Sequence, residues 1–215
     1  MIKLIYTINA IGRKILPQFA LNYLNKMRDK KQLDQWIIRG FPIPPPHIVK
    51  QTIIAEYQEE SGYNILIETG TYLGDMVEAQ KTRFKKIVSI ELAIELFKKA
   101  QKRFKNDKNV LIVQGDSGKE LGEVLKTIYE PAIFWLDGHY SEGFTAKGFK
   151  ECPIFEELDS IFNAASFNHI LLIDDAKDFT GNGDYPKIAE ITDYIMSKNP
   201  KYEVEVKHNI IRYVI

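Results

Sequence analysis

Five apolar runs in this chain give way to acidic residues: Glu68, Glu91, Asp116 after Gln114-Gly115, Asp137 before Gly138-His139, and the pair Asp174-Asp175. One acidic end means little, but five at like positions suggest a single polar site. The first carries the strongest signal. Glu68-Thr69-Gly70-Thr71-Tyr72-Leu73-Gly74 joins a carboxylate to two spaced glycines ahead of a helix-like pattern, as in a sharp strand-to-helix turn. Glycine keeps such a turn tight and lets a ligand approach its backbone, while the helix behind it presents free N–H groups. Glu91, followed by Leu92, falls roughly twenty residues further on, where a carboxylate can accept both hydroxyls of a ribose. That spacing suits a nicotinamide dinucleotide or another adenosine-containing cofactor. Tyr72 stands where a dinucleotide turn needs its second glycine, so pyrophosphate binding is disfavoured.

Such residues need a scaffold that gathers strand ends. Strand-like runs at 64–68, 86–91, 109–114, 132–137 and 169–174 alternate with helical patterns at 93–104, 119–129 and 154–165. Strands rich in Ile, Leu and Val, alternating with helices, predict a Rossmann-like α/β fold, a doubly wound and mostly parallel sheet covered on both faces. Ligands of such sheets bind outside the carboxyl ends of the strands, which is where all five acidic ends fall. The tail breaks the rhythm. Runs at 202–207 and 210–215 are joined only by His208-Asn209, too little for a crossover helix, so they predict a C-terminal antiparallel hairpin.

Composition narrows the partners. With 215 residues, 45% hydrophobic and 27% charged, the chain suits one globular domain with an appendage. Lys+Arg and Asp+Glu are both 29, so no global charge argues for nucleic acid. The single cysteine, Cys152, excludes an internal disulfide framework and fits a reducing, cytoplasmic setting, as a small buried residue rather than a nucleophile. Residues 1–16 mix isoleucines and leucines with Lys3, Arg13 and Lys14, too interrupted for a spanning helix. They read as an amphipathic helix packed on protein, on a second copy of the chain, or on a membrane surface, and residues 1–38 are the expected contact for a homodimer or a peripheral membrane docking. Residues 1–40 are therefore expected to form an N-terminal helical appendage, 41–63 a proline-rich connection and helix, and 64–215 the main domain. Gly40-Phe41-Pro42-Ile43-Pro44-Pro45-Pro46 is the clearest breakpoint, a stiff linker or the edge of a lid.

From about residue 65 to the last residue the chain resembles the class I S-adenosylmethionine-dependent methyltransferases. An acid followed by a glycine-rich turn, a second strand ending in an acid, and a final antiparallel hairpin are that family's marks. Glu68-Thr69-Gly70-Thr71-Tyr72-Leu73-Gly74 is similar to the catechol-type O-methyltransferases, which tolerate a tyrosine between the glycines. The resemblance implies that Glu68, Thr69, Gly70, Thr71, Tyr72 and Gly74 hold the methionine end of the cofactor. It further implies that Glu91 and Leu92 meet its ribose, and that Gly115, Asp116, Ser117 and Asp137 flank the remainder. Trp135-Leu136-Asp137-Gly138-His139-Tyr140 and Leu172-Ile173-Asp174-Asp175 resemble the metal-binding strand ends of magnesium-dependent O-methyltransferases, including the macrocin-type sugar enzymes. By that likeness Asp137, Asp174 and Asp175 hold Mg²⁺, and the acceptor is a small molecule, a sugar or a glycosylated metabolite. Oxygen ligands suit a hard cation, which keeps positions for a substrate diol and lowers a hydroxyl pKa.

His139 departs from the sugar-enzyme pattern, which has Asp-Gly-Asp where this chain has Asp-Gly-His. Histidine titrates near neutral pH, so His139 suits a general base beside Asp137, or a loop residue that contacts substrate without moving protons. Tyr140 and Lys147 lie in the glycine-punctuated stretch 140–152 that follows, with Lys147 the expected charge for a phosphate or carboxylate on the acceptor; residues 177–185 form a second candidate wall. His47, His169 and His208 carry no motif and read as structural or surface residues. Asp116 and Asp175 have a plainer reading as helix or turn caps. Two other functions fit parts of the sequence: an NAD(P)-dependent oxidoreductase, and a non-catalytic Rossmann-like adaptor docking through its N-terminal helix. Neither explains the paired Asp174-Asp175 together with Tyr72.

Overall fold

A computed structural model of the chain describes residues 18–138, 151–165 and 167–215. The chain divides into two compact units, residues 1–50 and 51–215. In the first unit, α1 (Gln18–Ile38) ends where Gly40 and Phe41 both take positive φ, 75° and 61°. The Trp36 indole N–H donates to the Pro42 carbonyl at 2.8 Å, and its ring meets Phe41 edge-to-face at 4.9 Å. The proline stretch thus folds back on the last turn of α1 rather than standing off as a spacer. The division between the units falls at Lys50, in the first turn of α2 (His47–Ser61).

The second unit is built on a seven-stranded sheet. Its strands are β1 (Ile65–Thr69), β2 (Lys86–Glu91), β3 (Val110–Gln114), β4 (Ala132–Leu136), β5 (Ile170–Ile173), β6 (Glu203–Lys207) and β7 (Ile210–Val214). They lie in the order β3-β2-β1-β4-β5-β7-β6, and pairing is parallel except along both edges of β7. The parallel sheet and the terminal hairpin are as the sequence predicts. β1 and β4 are buried along their whole length because both lie in the middle of the sheet, which explains their unbroken apolar runs. β6 is exposed throughout, and its alternating Glu-Val-Glu-Val-Lys fits an outer strand.

Between the strands run α3 (Asp75–Gln80), α4 (Ile94–Arg103), α5 (Ser117–Leu125), α6 (Ile154–Asn163) and α7 (Ile188–Lys198). Leu121, Val124 and Leu125 of α5, Leu158 and Ile161 of α6, and Ile191 and Ile195 of α7 bury one sheet face over Ile67, Val88, Phe134, Leu171 and Ile211. α5 starts two residues earlier than its apolar spacing suggests because the Asp116 side chain accepts the Gly118 N–H at 3.0 Å and caps it. The registers set Thr69 beside Ile90 and Leu136, Glu91 beside Gln114, and Leu136 beside Ile173. The residues that follow these positions therefore emerge along one edge. Among the described residues, no helix is long and apolar enough to cross a membrane.

Candidate cofactor and metal site

At the carboxyl edge the chain leaves β1 through a turn that folds over the end of β2. The Gly70 and Thr71 N–H groups both donate to the Ile90 carbonyl, at 2.9 and 3.2 Å, and the Gly74 N–H closes onto Thr71 at 2.8 Å. Gly70 has φ +88°, and a Cβ there would stand 2.3 Å from the Asp137 carbonyl oxygen, so only glycine lets this turn lie against the end of β4. Tyr72 takes φ 49°, which aims its N–H at Glu91 Oε2, 2.7 Å away. The other oxygen of Glu91 accepts the Ala93 N–H at 2.8 Å. One buried carboxylate thereby fastens both the β1–α3 and the β2–α4 turns. Burial raises the pKa of Glu91, opposed by those two N–H donors.

Glu68 lies behind this turn, 2% exposed. The Ser89 hydroxyl donates to its Oε2, and the Ser89 and Thr71 hydroxyls are 2.6 Å apart. Burial drives the Glu68 carboxyl up to about 8; the Ser89 hydrogen bond opposes this, and the nearby charges of Asp137 and Glu91 add to it. Near neutral pH Glu68 is therefore largely protonated. The helix after the turn, α3, has only six residues and opens with Asp75 and Glu78 in its first turn. Those charges oppose an anion there, in line with a turn that disfavours a pyrophosphate.

On the other side of β1 the ladder continues one residue past the strands. The Asp137 N–H faces the Thr69 carbonyl and hydroxyl at 3.1 and 3.2 Å, and the Asp174 N–H donates to the Leu136 carbonyl at 3.1 Å. Asp174 is fully buried, and its Oδ1 accepts the Asp175 N–H at 2.8 Å. Asp175 sits in the left-handed region, φ 51° and ψ 47°. One oxygen from each of Asp137, Asp174 and Asp175 falls within 4.8 Å of the others. Three carboxylates gathered at a partly desolvated point are costly unless cations compensate them, and the Lys177 ammonium stands 4.0 Å from Asp175 Oδ1. An all-oxygen donor set suits Mg²⁺, Mn²⁺ or Ca²⁺, so the residues fit the metal that the sequence resemblance implies.

The structure thus brings together Glu68, Thr69, Gly70, Thr71, Tyr72, Gly74 and Glu91 around one turn, and Asp137, Asp174 and Asp175 around one point. Ser117 is buried at the start of α5, while Asp116 is engaged as its cap. His139, Tyr140 and Lys147 lie outside the described residues. His169 serves the opposite edge of the sheet, where its Nδ1 accepts the Ala132 N–H at 3.1 Å between the rings of Phe134 and Phe167. Sequence reasoning missed four residues: Arg103 and Phe104 beneath the glycine turn, Glu157 buried beside Gly138, and Asn209 beside Asp175. Only Asn209 left a trace, as a residue suited to a tight hairpin turn.

No protein-family model and no curated protein sequence matches the chain. Solved structures do. An O-methyltransferase from Bacillus cereus in complex with S-adenosylhomocysteine aligns over 98% of this chain and 97% of its own, with TM-score 0.58 and 12% identity. The S-adenosylhomocysteine-bound methyltransferase PaMTH1 from Podospora anserina aligns over 93% and 97%, with TM-score 0.56 and 14% identity. TomG from Streptomyces achromogenes, an O-methyltransferase of tomaymycin synthesis bound to S-adenosylmethionine, aligns over 86% and 88%, with TM-score 0.57 and 11% identity. At such identities the likeness is one of fold, and the fold is the one these methyltransferase structures share.

Proposed function

We propose that this protein is an S-adenosylmethionine-dependent methyltransferase, acting through a divalent metal on a hydroxyl of a small acceptor. The observation that carries the reading is the pairing of two devices at one sheet edge. The Glu68–Glu91 turn lies on one side of β1 and the Asp137, Asp174, Asp175 cluster on the other. A nicotinamide site would leave the carboxylate cluster unexplained, and an adaptor would leave both.

In this reading Glu68 receives the amino group of the cofactor's methionine end, giving up its proton as it does so. Glu91 accepts the ribose hydroxyls while keeping its two backbone donors. Asp137, Asp174 and Asp175 hold Mg²⁺ or a similar hard cation. When bound, the cofactor supplies the methyl group and the cation supplies Lewis acidity to the acceptor hydroxyl. The chain itself contributes orientation, because both devices grow from neighbouring strands of a rigid sheet. His139 takes the hydroxyl proton, and Tyr140 and Lys147 contact the acceptor, a sugar or glycosylated metabolite being preferred. Residues 1–38 dock a second copy of the chain or a membrane surface.

Isothermal titration with S-adenosylhomocysteine, with and without Mg²⁺, tests the reading. Saturable binding that weakens in Glu91→Gln supports it. Absence of binding under both conditions removes the methyltransferase assignment.

A further inference from the structure

We propose that Asn209, in the turn between β6 and β7, is a positioning residue for the cation site; the inference rests on the metal-dependent reading above. Asn209 is 7% exposed and takes φ 64°, a left-handed conformation that asparagine tolerates better than most residues. From there it makes three contacts with the segment that carries Asp175. Its carbonyl oxygen accepts the Ala176 N–H at 2.8 Å. Its side-chain Oδ1 accepts the Lys177 N–H at 2.9 Å. Its side-chain Nδ2 donates to Asp175 Oδ1 at 2.9 Å.

The donor and acceptor ends of the amide are fixed by their partners. A backbone N–H at Lys177 demands an oxygen, which turns the nitrogen toward the Asp175 carboxylate. A carboxylate held by this amide is restricted in its rotation, so its oxygens are presented to a cation in one orientation. Such outer contacts orient metal ligands and tune their affinity. The arrangement also accounts for the backbone of Asp175, a non-glycine residue held at φ 51°. Asn209 clamps the two residues that follow, and the Asp175 N–H is drawn to Asp174 Oδ1 at 2.8 Å, so the strained turn keeps both carboxylates side by side. No other common side chain meets these demands at once: an acceptor, a donor on the same planar group, and ease in the left-handed region.

The test is Mn²⁺ binding by the full chain, followed by the electron paramagnetic resonance signal of free Mn²⁺. Asn209→Gly keeps the left-handed turn and the backbone contact while deleting both side-chain hydrogen bonds. Asn209→Ala serves as a second variant, and Asp174→Asn marks binding at this cluster. The expected result is Mn²⁺ affinity about ten- to one-hundred-fold weaker in the Asn209 variants, with S-adenosylhomocysteine affinity measured without metal within about twofold of the wild type. Wild-type Mn²⁺ affinity in a folded Asn209 variant overturns the inference while leaving the metal-dependent reading intact. An equal loss of Mn²⁺ and S-adenosylhomocysteine affinity also overturns it, since a general loosening of the structure produces that pattern. A wild-type protein that binds S-adenosylhomocysteine but no Mn²⁺ removes the metal reading, and this inference with it.

Discussion

The guanidinium of Arg103 reaches from the last turn of α4 to the carbonyl oxygen of Leu73, 2.6 Å from Nη1. The same nitrogen meets Asp75 at 2.8 Å, and the guanidinium lies over the Phe104 ring, 5.2 Å from its centroid. Phe104 in turn fills the space beneath Gly74, where an added Cβ would stand 2.6 Å from its ring. The glycine turn is therefore supported by α4 from beneath as well as by Glu91 from the side. Arg103→Ala is expected to raise the S-adenosylhomocysteine dissociation constant about tenfold, the loss of roughly one charge-assisted hydrogen bond. Arg103→Lys should recover part of it. Turnover at saturating cofactor should change little, since the contacts of Arg103 are with the turn, with Asp75 and Glu78 of α3 and with Phe104; an equal fall in kcat would refute this role.

Gly70→Ala tests the close approach of the turn to β4. The added methyl meets a backbone carbonyl that cannot swing aside, so the variant should lose about 3 kcal/mol in urea unfolding and bind cofactor weakly. Gly62→Ala is the comparison. Gly62 has a similar φ, +70°, but open space around its Cα, so left-handed strain alone should cost about 1 kcal/mol. Equal losses in the two variants would show that strain, and not contact with Asp137, fixes Gly70.

His169 should make the protein acid-sensitive. Burial in an apolar pocket pushes its imidazole down to about 4. A folded pKa below the unfolded value of about 6.5 means stability that is present above pH 6.5 and lost as the pH falls toward 4, up to about 3 kcal/mol. His169→Gln keeps an acceptor but cannot titrate. Its urea midpoint should vary less between pH 7 and pH 5 than that of the wild type, and identical slopes would dismiss His169 as the source.

Glu68 acts with the opposite sign. Its carboxyl stays protonated in the folded protein up to about 8, whereas an unfolded chain releases that proton near 4.5. The folded state therefore loses stability as the pH rises through this window. Glu68→Gln, isosteric and uncharged, should gain on the wild type by on the order of 4 kcal/mol at pH 9 relative to pH 5. The same substitution should weaken cofactor binding, because a neutral amide cannot pair with an amino group's charge. A variant that shows neither effect would place Glu68 outside both roles.

The acidic strand ends were readable in the sequence because each is a local pattern, an apolar run followed by a carboxylate. The parallel sheet then determines that Asp137 and Asp174 meet, since neighbouring strands in register end together. The antiparallel hairpin followed from the short link at His208-Asn209. What stayed hidden depends on partners distant in the chain. Arg103 reads as one of several cations on an amphipathic helix, and nothing near it names Leu73. Asn209 reads as turn chemistry, although Asp175 lies 34 residues away. The contact between Trp36 and Pro42 was hidden for the same reason: Gly40-Phe41-Pro42 looks like punctuation until Trp36 is seen to bond to it.

β7 follows every other strand in the sequence yet lies inside the sheet, with Ile210, Ile211 and Tyr213 fully buried between β5 and β6. During synthesis, the parallel strands emerge first and leave the edge of β5 without its neighbour. Asp175 is then made well before the asparagine that steadies it. A nascent chain can therefore assemble the glycine turn early, but the turn at Asp175 gains its contacts with Asn209 only when the final hairpin docks. Truncations that remove the hairpin should yield chains that aggregate through the bare edge of β5, an order of events set by topology rather than by the chemistry of the site.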